Sequence, residues 1–327
     1  MSLLLLTMVA SAAFCALYLK LARRWQIVDR PNDRSSHRLP TPHGGGVPLV
    51  LAFLLGILVA SVEGVDWTWH YWLLTSGALL LAIIGVWDDL RNLRVRVRFT
   101  LYGSCCVLLV TELFPPMATG QFVHWILVAG GSFALLWMLN LYIFMDGIDC
   151  IAALQCILAC GSAALLSWFY AGDPQYALYC LLLAAAHVGF LVWNWPPARL
   201  FMGDAGSVPT GFLLGGLALL GASAGQLPLA CWFILLAGFI GDATYTLLWR
   251  MATGQPFTRP HRLHTYQRLS RHWGGHLPVD MALLALNALW LFPLAWAATV
   301  WPKFSFLLVI LAYLPLLAGM AKARKLG

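Results

Sequence analysis

The stretch FMGDAGSVPTGFLLGGLALLGA, residues 201–222, sets one carboxylate, Asp204, among glycines and small residues at the head of an apolar run. From about residue 206 to residue 222 the run carries no charge. It approaches the roughly 20 residues that a helix needs to cross about 30 Å of hydrocarbon. Read as a membrane span, it raises the question of why an acid is kept at a span's edge.

Ten further runs of this kind flank it. The eleven candidates cover about 2–21, 46–62, 71–87, 98–114, 124–143, 150–170, 176–194, 206–222, 229–249, 280–299 and 304–320. Hydrophobic residues make up 61% of the 327, and the mean hydropathy is +0.78, a balance that no water-soluble core of this size requires. The expected fold is all-α: a polytopic integral membrane bundle of about eleven transmembrane helices, with ten as the alternative count. One domain over 1–327 is expected, because the connections are too short for a soluble domain to fold between spans.

Lys and Arg favour the cytoplasmic loops of membrane proteins. With the N-terminus outside, nineteen of the twenty basic residues fall on one side, and Lys303 alone lies opposite. The C-terminus is then cytoplasmic. The first run has no basic residue before it and several after it, which is the pattern of a retained span rather than a cleaved signal peptide. The formal net charge of +7 is accounted for by this orientation signal and by anionic lipid headgroups, so no nucleic acid is needed. The eight cysteines lie in or beside apolar runs without CxxC pairs, and they imply neither a disulfide framework nor zinc.

Only 10% of residues are charged, so the position of each acid is informative. Glu63, Asp66 and Asp173 fall in external loops. Asp88 and Asp89 end the third run in GVWDDLRN, Asp146 and Asp149 follow the fifth in FMDGIDC, and Asp204 precedes the eighth. All five come to the cytoplasmic side, where the basic loop RPHRLHTYQRLSRH, residues 259–272, also lies. Mg²⁺ binds one or two carboxylates and fills its other positions with water and phosphates, while Arg and His take further phosphate oxygens. Convergence of this kind suits a doubly anionic substrate held at the membrane edge. Plainer readings exist for each piece: Asp88 and Asp89 pairing with Arg91 or Arg94 at a solvated helix end, DGID as a polar turn, Asp204 as a helix N-cap, and His37 and His43 as ordinary loop residues. A transporter would carry ionisable residues near mid-membrane; here the spans are nearly free of them, with Glu112 and Asp242 as the main exceptions, each near a helix end.

The ordered series DRPNDRSSHRLPTPHGGG, GVWDDL, NLYIFMDGID, NWPPARLFMGDAGS and RPHRLH resembles the polyprenyl-phosphate N-acetylhexosamine-1-phosphate transferase family, the glycosyltransferase 4 group, over about residues 28–272. The resemblance implies transfer of an N-acetylhexosamine-1-phosphate from a UDP-sugar to undecaprenyl phosphate, with Mg²⁺ (Mn²⁺ as an alternative) and release of UMP. It also implies a bacterial cytoplasmic (inner) membrane, membrane lipids around the spans, and a site facing the cytoplasm. By position, Asp204 matches the magnesium-binding aspartate. Asp88 and Asp89 match adjacent acids that orient or deprotonate the acceptor phosphate and organise the metal, with Asp89 as a second metal residue. Asp146 and Asp149 match an element lining the nucleotide pocket, and Asn140 and Asn194 match polar positions of that cavity. Arg262 and His264 match the histidine motif that meets the donor phosphates, and Thr41 and Ser207 match recurrent positions. The site is thus expected from loops at about 22–45, 88–98, 141–150, 193–206 and 250–279.

Three departures from the family pattern stand out. Ile143 replaces a second asparagine, Cys150 replaces a glycine and so restricts the backbone if that position needs positive φ, and Tyr266 and Gln267 stand where other members carry histidines. The last change fits a branch that initiates O-antigen or related envelope glycans. The alternative within the class is a phospho-N-acetylmuramoyl-pentapeptide transferase, and outside it a membrane transporter. Small residues on apolar helices allow pairing in lipid, so a homodimer stays open.

Overall fold

Every one of the eleven apolar runs forms helix in the computed structural model, which describes residues 2–29, 40–91, 93–116, 120–255 and 261–326. In chain order the helices are α1 (Ser2–Arg24), α2 (Gly46–Val62), α3 (Trp69–Arg91), α4 (Val95–Leu113), α5 (Gln121–Met145), α6 (Ile151–Tyr170) and α7 (Pro174–Asn194). There follow α8 (Asp204–Ser223), α9 (Leu229–Leu235), α10 (Ala237–Ala252), α11 (Thr265–His272), α12 (Leu277–Val300) and α13 (Ser305–Ala323). A two-residue antiparallel pair, β1 (Val28–Asp29) with β2 (Thr41–Pro42), closes the first loop. The protein is therefore an all-α polytopic membrane protein. Among the described residues, eight helices are long and apolar enough to span a bilayer, and the bent pair α9–α10 taken together makes a ninth. The other two runs are α2, 17 residues and about 25 Å long at 1.5 Å per residue, and α4, whose first turn carries Arg96 and Arg98.

The run 229–249, read from sequence as one span, is broken at Leu236 by a bend of 72°. The cause is a side chain from another helix: Gln155 of α6 donates its Nε2 to the Leu235 carbonyl at 3.0 Å. That carbonyl would otherwise serve the helical ladder, and a side chain inserted there kinks a helix. In α12 a five-residue π turn, Asn287–Leu291, lies just ahead of Pro293. The shifted register accommodates the missing proline N–H.

α8 is the centre of the bundle. Its apolar window is 83% buried, against 22% for α12 and 17% for α13 at the periphery. It packs on α3 and α5, with α2 and α4 also against it, while α7 bridges α1 and α6. Glycine permits the closest approaches: a Cβ added at Gly85 of α3 would lie 2.5 Å from the Asp204 carbonyl, and one at Gly46 of α2 would overlap the Gly206 backbone. Both contacts sit at the end of the bundle that carries the acids, so α2, α3 and the start of α8 meet there backbone to backbone.

Candidate active site

Three backbone hydrogen bonds staple the first loop to the approach of α8. The Phe201 N–H donates to the Pro42 carbonyl, and the Gly45 and Gly46 N–H groups donate to Phe201 and Met202, all at 2.8–2.9 Å. Gly203 follows at φ +71°, turning the chain into α8. Asp204 is the first residue of that helix rather than its cap, and the preceding residue supplies no side-chain cap. The cap comes from α3: Asp89 Oδ1 accepts from the Asp204 N–H at 3.2 Å, and its Oδ2 accepts from the Ala205 N–H at 3.3 Å. A helix N-terminus favours such a carboxylate.

Asp88 is buried beside it. Its Oδ1 accepts from the Leu93 N–H at 2.7 Å, and its Oδ2 is paired with Arg98 of α4 rather than with Arg91 or Arg94. The same Arg98 nitrogen lies 3.6 Å from Asp204 Oδ2. One guanidinium thus stands between two carboxylates and offsets their repulsion. Asp146 stands at the C-terminal end of α5 as its cap residue. Burial pushes its pKa well above the usual carboxylate range, and the charges of Asp204, Asp89 and Asp149 add to the shift. These acids therefore face one another at one end of the bundle.

Beside them opens a cavity of about 900 Å³. Thr41 and Asp149 stand in its wall, and Arg23, Arg199, Arg271 and His276 contribute cationic or protonatable groups. Asp149 Oδ2 accepts from the Ala198 N–H at 3.0 Å and lies 3.2 Å from His276 Nδ1. Asn194 is buried and uses both ends of its amide, accepting from the Cys150 N–H at 2.9 Å and donating to the Leu200 carbonyl at 3.0 Å. It braces the wall. Cys150 has φ +71°, so the residue that replaces glycine in the sequence pattern does occupy a left-handed position.

His264 is reached by a separate route. It starts α11, is 4% exposed, and stacks between Phe144 and Tyr266. Its Nδ1 lies 3.7 Å from Asp242 Oδ1. Asp242, buried in α10, also accepts from the Thr265 and Tyr266 N–H groups at 2.8 and 3.0 Å, fixing the start of α11. Tyr266 in turn donates to the Phe144 carbonyl at 2.8 Å and packs against Gly147, next to Asp146. Burial, with the neighbouring His264 and Arg250, pushes His261 down to about 4 and keeps it neutral. The Arg262 carbonyl accepts from Arg271 at 3.2 Å, which knits this loop to α11.

The structure thus brings Asp88, Asp89, Asp146 and Asp204 together, with Thr41 and Asp149 in the adjoining wall. Asn140 donates its amide to the Leu136 carbonyl of its own helix at 2.7 Å. Ser207 is buried one turn into α8, and His37 lies outside the described residues. Sequence reading did not single out Arg98, Gly85 or His276, and it noted Asp242 only as an acid within a span. An acid in a chain this poor in charge was the signal that Asp242 offered.

Hard oxygen donors suit Mg²⁺. Among the described residues no three His, Cys, Asp or Glu side chains converge closely enough to form a metal cage. Asp89 spends both oxygens on backbone N–H groups, and Asp88 is held by Arg98. The Asp204 side chain, with Asp146 nearby, keeps 23% of its surface exposed, which would fit a cation held by one or two carboxylates rather than by an all-protein site.

Residues 71–222 match the family described as glycosyl transferase family 4. The chain is similar to a probable undecaprenyl-phosphate N-acetylglucosaminyl 1-phosphate transferase of Bacillus subtilis, 25% identical over 89% of this chain and 83% of that one. It is 32% identical to a phospho-N-acetylmuramoyl-pentapeptide-transferase of Synechococcus, over 66% of this chain and 67% of that one. It is 26% identical to the undecaprenyl-phosphate alpha-N-acetylglucosaminyl 1-phosphate transferase of Escherichia coli K12, over 77% and 71% respectively.

Proposed function

The chain belongs to glycosyl transferase family 4, and from that premise we propose that it moves an N-acetylhexosamine-1-phosphate from a UDP-sugar to undecaprenyl phosphate. UMP is released, and a lipid-linked envelope glycan is begun at the cytoplasmic face of the bacterial inner membrane. The observation that carries this reading is the meeting of Asp88, Asp89, Asp146 and Asp204 at one end of the bundle, beside a cavity of about 900 Å³ with three arginines in its wall. Such a place can hold a nucleotide diphosphate next to the edge of the lipid.

The acceptor phosphate oxygen forms a bond to the β-phosphorus of the donor, and the bond from that phosphorus to the UMP oxygen breaks, its electron pair leaving with UMP. The two reactants are both polyanions, so the protein must offset repulsion. Arg23, Arg199 and Arg271, all in the cavity wall, would take donor phosphate oxygens. Arg98 keeps Asp88 and Asp204 side by side. Asp89 fixes the backbone from which Asp204 projects. Mg²⁺, with Mn²⁺ as the alternative, would be held by Asp204 and would neutralise phosphate charge when bound.

The alternative donor carries the muramyl pentapeptide, and the 32% identity to a transferase of that substrate favours keeping it in view. Against it, Tyr266 and Gln267 are both buried and Tyr266 serves as a packing strut, so neither offers the donor the imidazole that this motif carries elsewhere.

The deciding experiment is UMP release by the detergent-solubilised protein with undecaprenyl phosphate, Mg²⁺ and a panel of UDP-N-acetyl sugars, with and without EDTA. Lipid-dependent, EDTA-sensitive UMP is the expected result. Movement of substrate across sealed vesicles without UMP would replace the transferase with a transporter.

A further inference from the structure

Among the described residues, only Gln26 and Cys150 combine a side chain with a left-handed backbone. Left-handed residues persist where their surroundings over-determine them, and they cluster at functional sites. The turn from Asp146 to Cys150 is held from three remote places. Asn194 accepts the Cys150 N–H at 2.9 Å, Ala198 donates to Asp149 at 3.0 Å, and His276 meets Asp149 twice. His276 Nδ1 lies 3.2 Å from Asp149 Oδ2 and 3.3 Å from the Asp149 nitrogen.

One ring nitrogen cannot serve both partners at once. Carrying a proton, it donates to the carboxylate; without one, it accepts the backbone N–H. In either form the imidazole grips the same residue. Because Ala198 and His276 both address Oδ2, Oδ1 is the oxygen left for a ligand's N–H or O–H. The side chains of His276 and Asp149 are 16% and 10% exposed, so this is not a water-screened surface pair. Both residues stand in the wall of the cavity of about 900 Å³, and His276 also begins α12, its carbonyl accepting the Val279 and Asp280 N–H groups at 2.9 and 3.1 Å.

We propose that His276 is a positioning residue for the nucleotide part of the donor: it holds the Asp149 carboxylate in the cavity wall so that Oδ1 meets the ligand. The proposal rests on the transferase reading above. It sets a separate role for α12, which supplies a grip on the donor in addition to crossing the membrane.

The test is steady-state kinetics of full-length His276→Ala and His276→Asn, with direct titration of UMP into each by calorimetry. His276→Ala raises the donor KM and weakens UMP on the order of tenfold, the scale of a hydrogen bond to a charged group, while kcat and the acceptor KM stay within about twofold. Asn carries its amide oxygen and nitrogen at the δ position that His276 Nδ1 occupies, so His276→Asn recovers most of the donor affinity. A residue that merely pinned α12 would lower the melting temperature and the active fraction and leave the donor KM and UMP affinity unchanged; that result overturns the proposal. Wild-type protein that binds UMP but releases none from any donor sinks the transferase reading while the UMP titration of His276→Ala still decides this one. Wild-type protein that binds no UMP overturns both.

Discussion

Asp89 meets Asp204 through the backbone and not through its side chain. Its two oxygens take the first two N–H groups of α8, so a carboxylate on one helix caps another and fixes where the Asp204 side chain points. Loss of a cap costs about 1 kcal/mol, and small misplacements of a reacting centre cost far more in rate. Asp89→Ala should therefore lower kcat about a hundredfold or more while reducing the melting temperature by only a few degrees. Asp89→Asn, which keeps one acceptor, should fall between. Wild-type kcat in Asp89→Ala would refute the coupling between cap and site.

Arg98 touches both Asp88 and Asp204. Removing it leaves these carboxylates to repel one another, and an added cation can stand in for the lost charge in part. Arg98→Ala should lose about 10- to 100-fold in UMP release at low Mg²⁺ and regain a share of it as Mg²⁺ is raised. Asp204→Ala should lose about a thousandfold or more and regain nothing. Equal behaviour of the two variants across a Mg²⁺ titration would show that Arg98 does not act on the acids.

Cys150 occupies φ +71°, a conformation costing about 1–2 kcal/mol for a residue with a Cβ. Its thiol is fully buried, so glycine trades relief of strain against a small void. Cys150→Gly should change the melting temperature little and leave transfer intact. Cys150→Val, β-branched, should be lower in stability by about 2 kcal/mol or more. A valine variant as stable as the glycine variant would deny the strain.

Asp146 gives a pH test. Its carboxyl titrates well above the usual range because of burial first and neighbouring acids second, so the folded chain binds that proton more tightly than the unfolded one. The associated stability is full below about pH 4, the unfolded value, and is lost as pH rises through the raised one. Asp146→Asn cannot ionise. Its melting temperature, relative to wild type, should rise as the pH increases above about 4; a constant difference would contradict the shift.

That the eleven apolar runs form helix was legible because an apolar run of span length has few other uses. The acids were legible for a related reason: with so few charges, each one kept is informative. What could not be read was contact between distant segments. Nothing local in GVWDDLRN indicates that Asp88 will reach past Arg91 and Arg94 to Arg98, since that depends on the turn between α3 and α4. The Asp149–His276 contact joins residues 127 positions apart. The break between α9 and α10 depends on Gln155, a residue of another helix. The left-handed turn at Cys150 was suggested by pattern, yet the sequence could not say which groups would hold it.

Gly46 and Gly85 let three helices meet at the head of α8. That packing assembles the acids as the protein folds, before any substrate is present, so their mutual repulsion is a standing strain on the empty protein. A cation or cationic ligand that settles among them relieves that strain, and mass action makes relief of this kind visible as heat resistance. Unfolding temperature thus becomes a gauge of site occupancy, readable on the intact chain without any sugar, any lipid or any turnover.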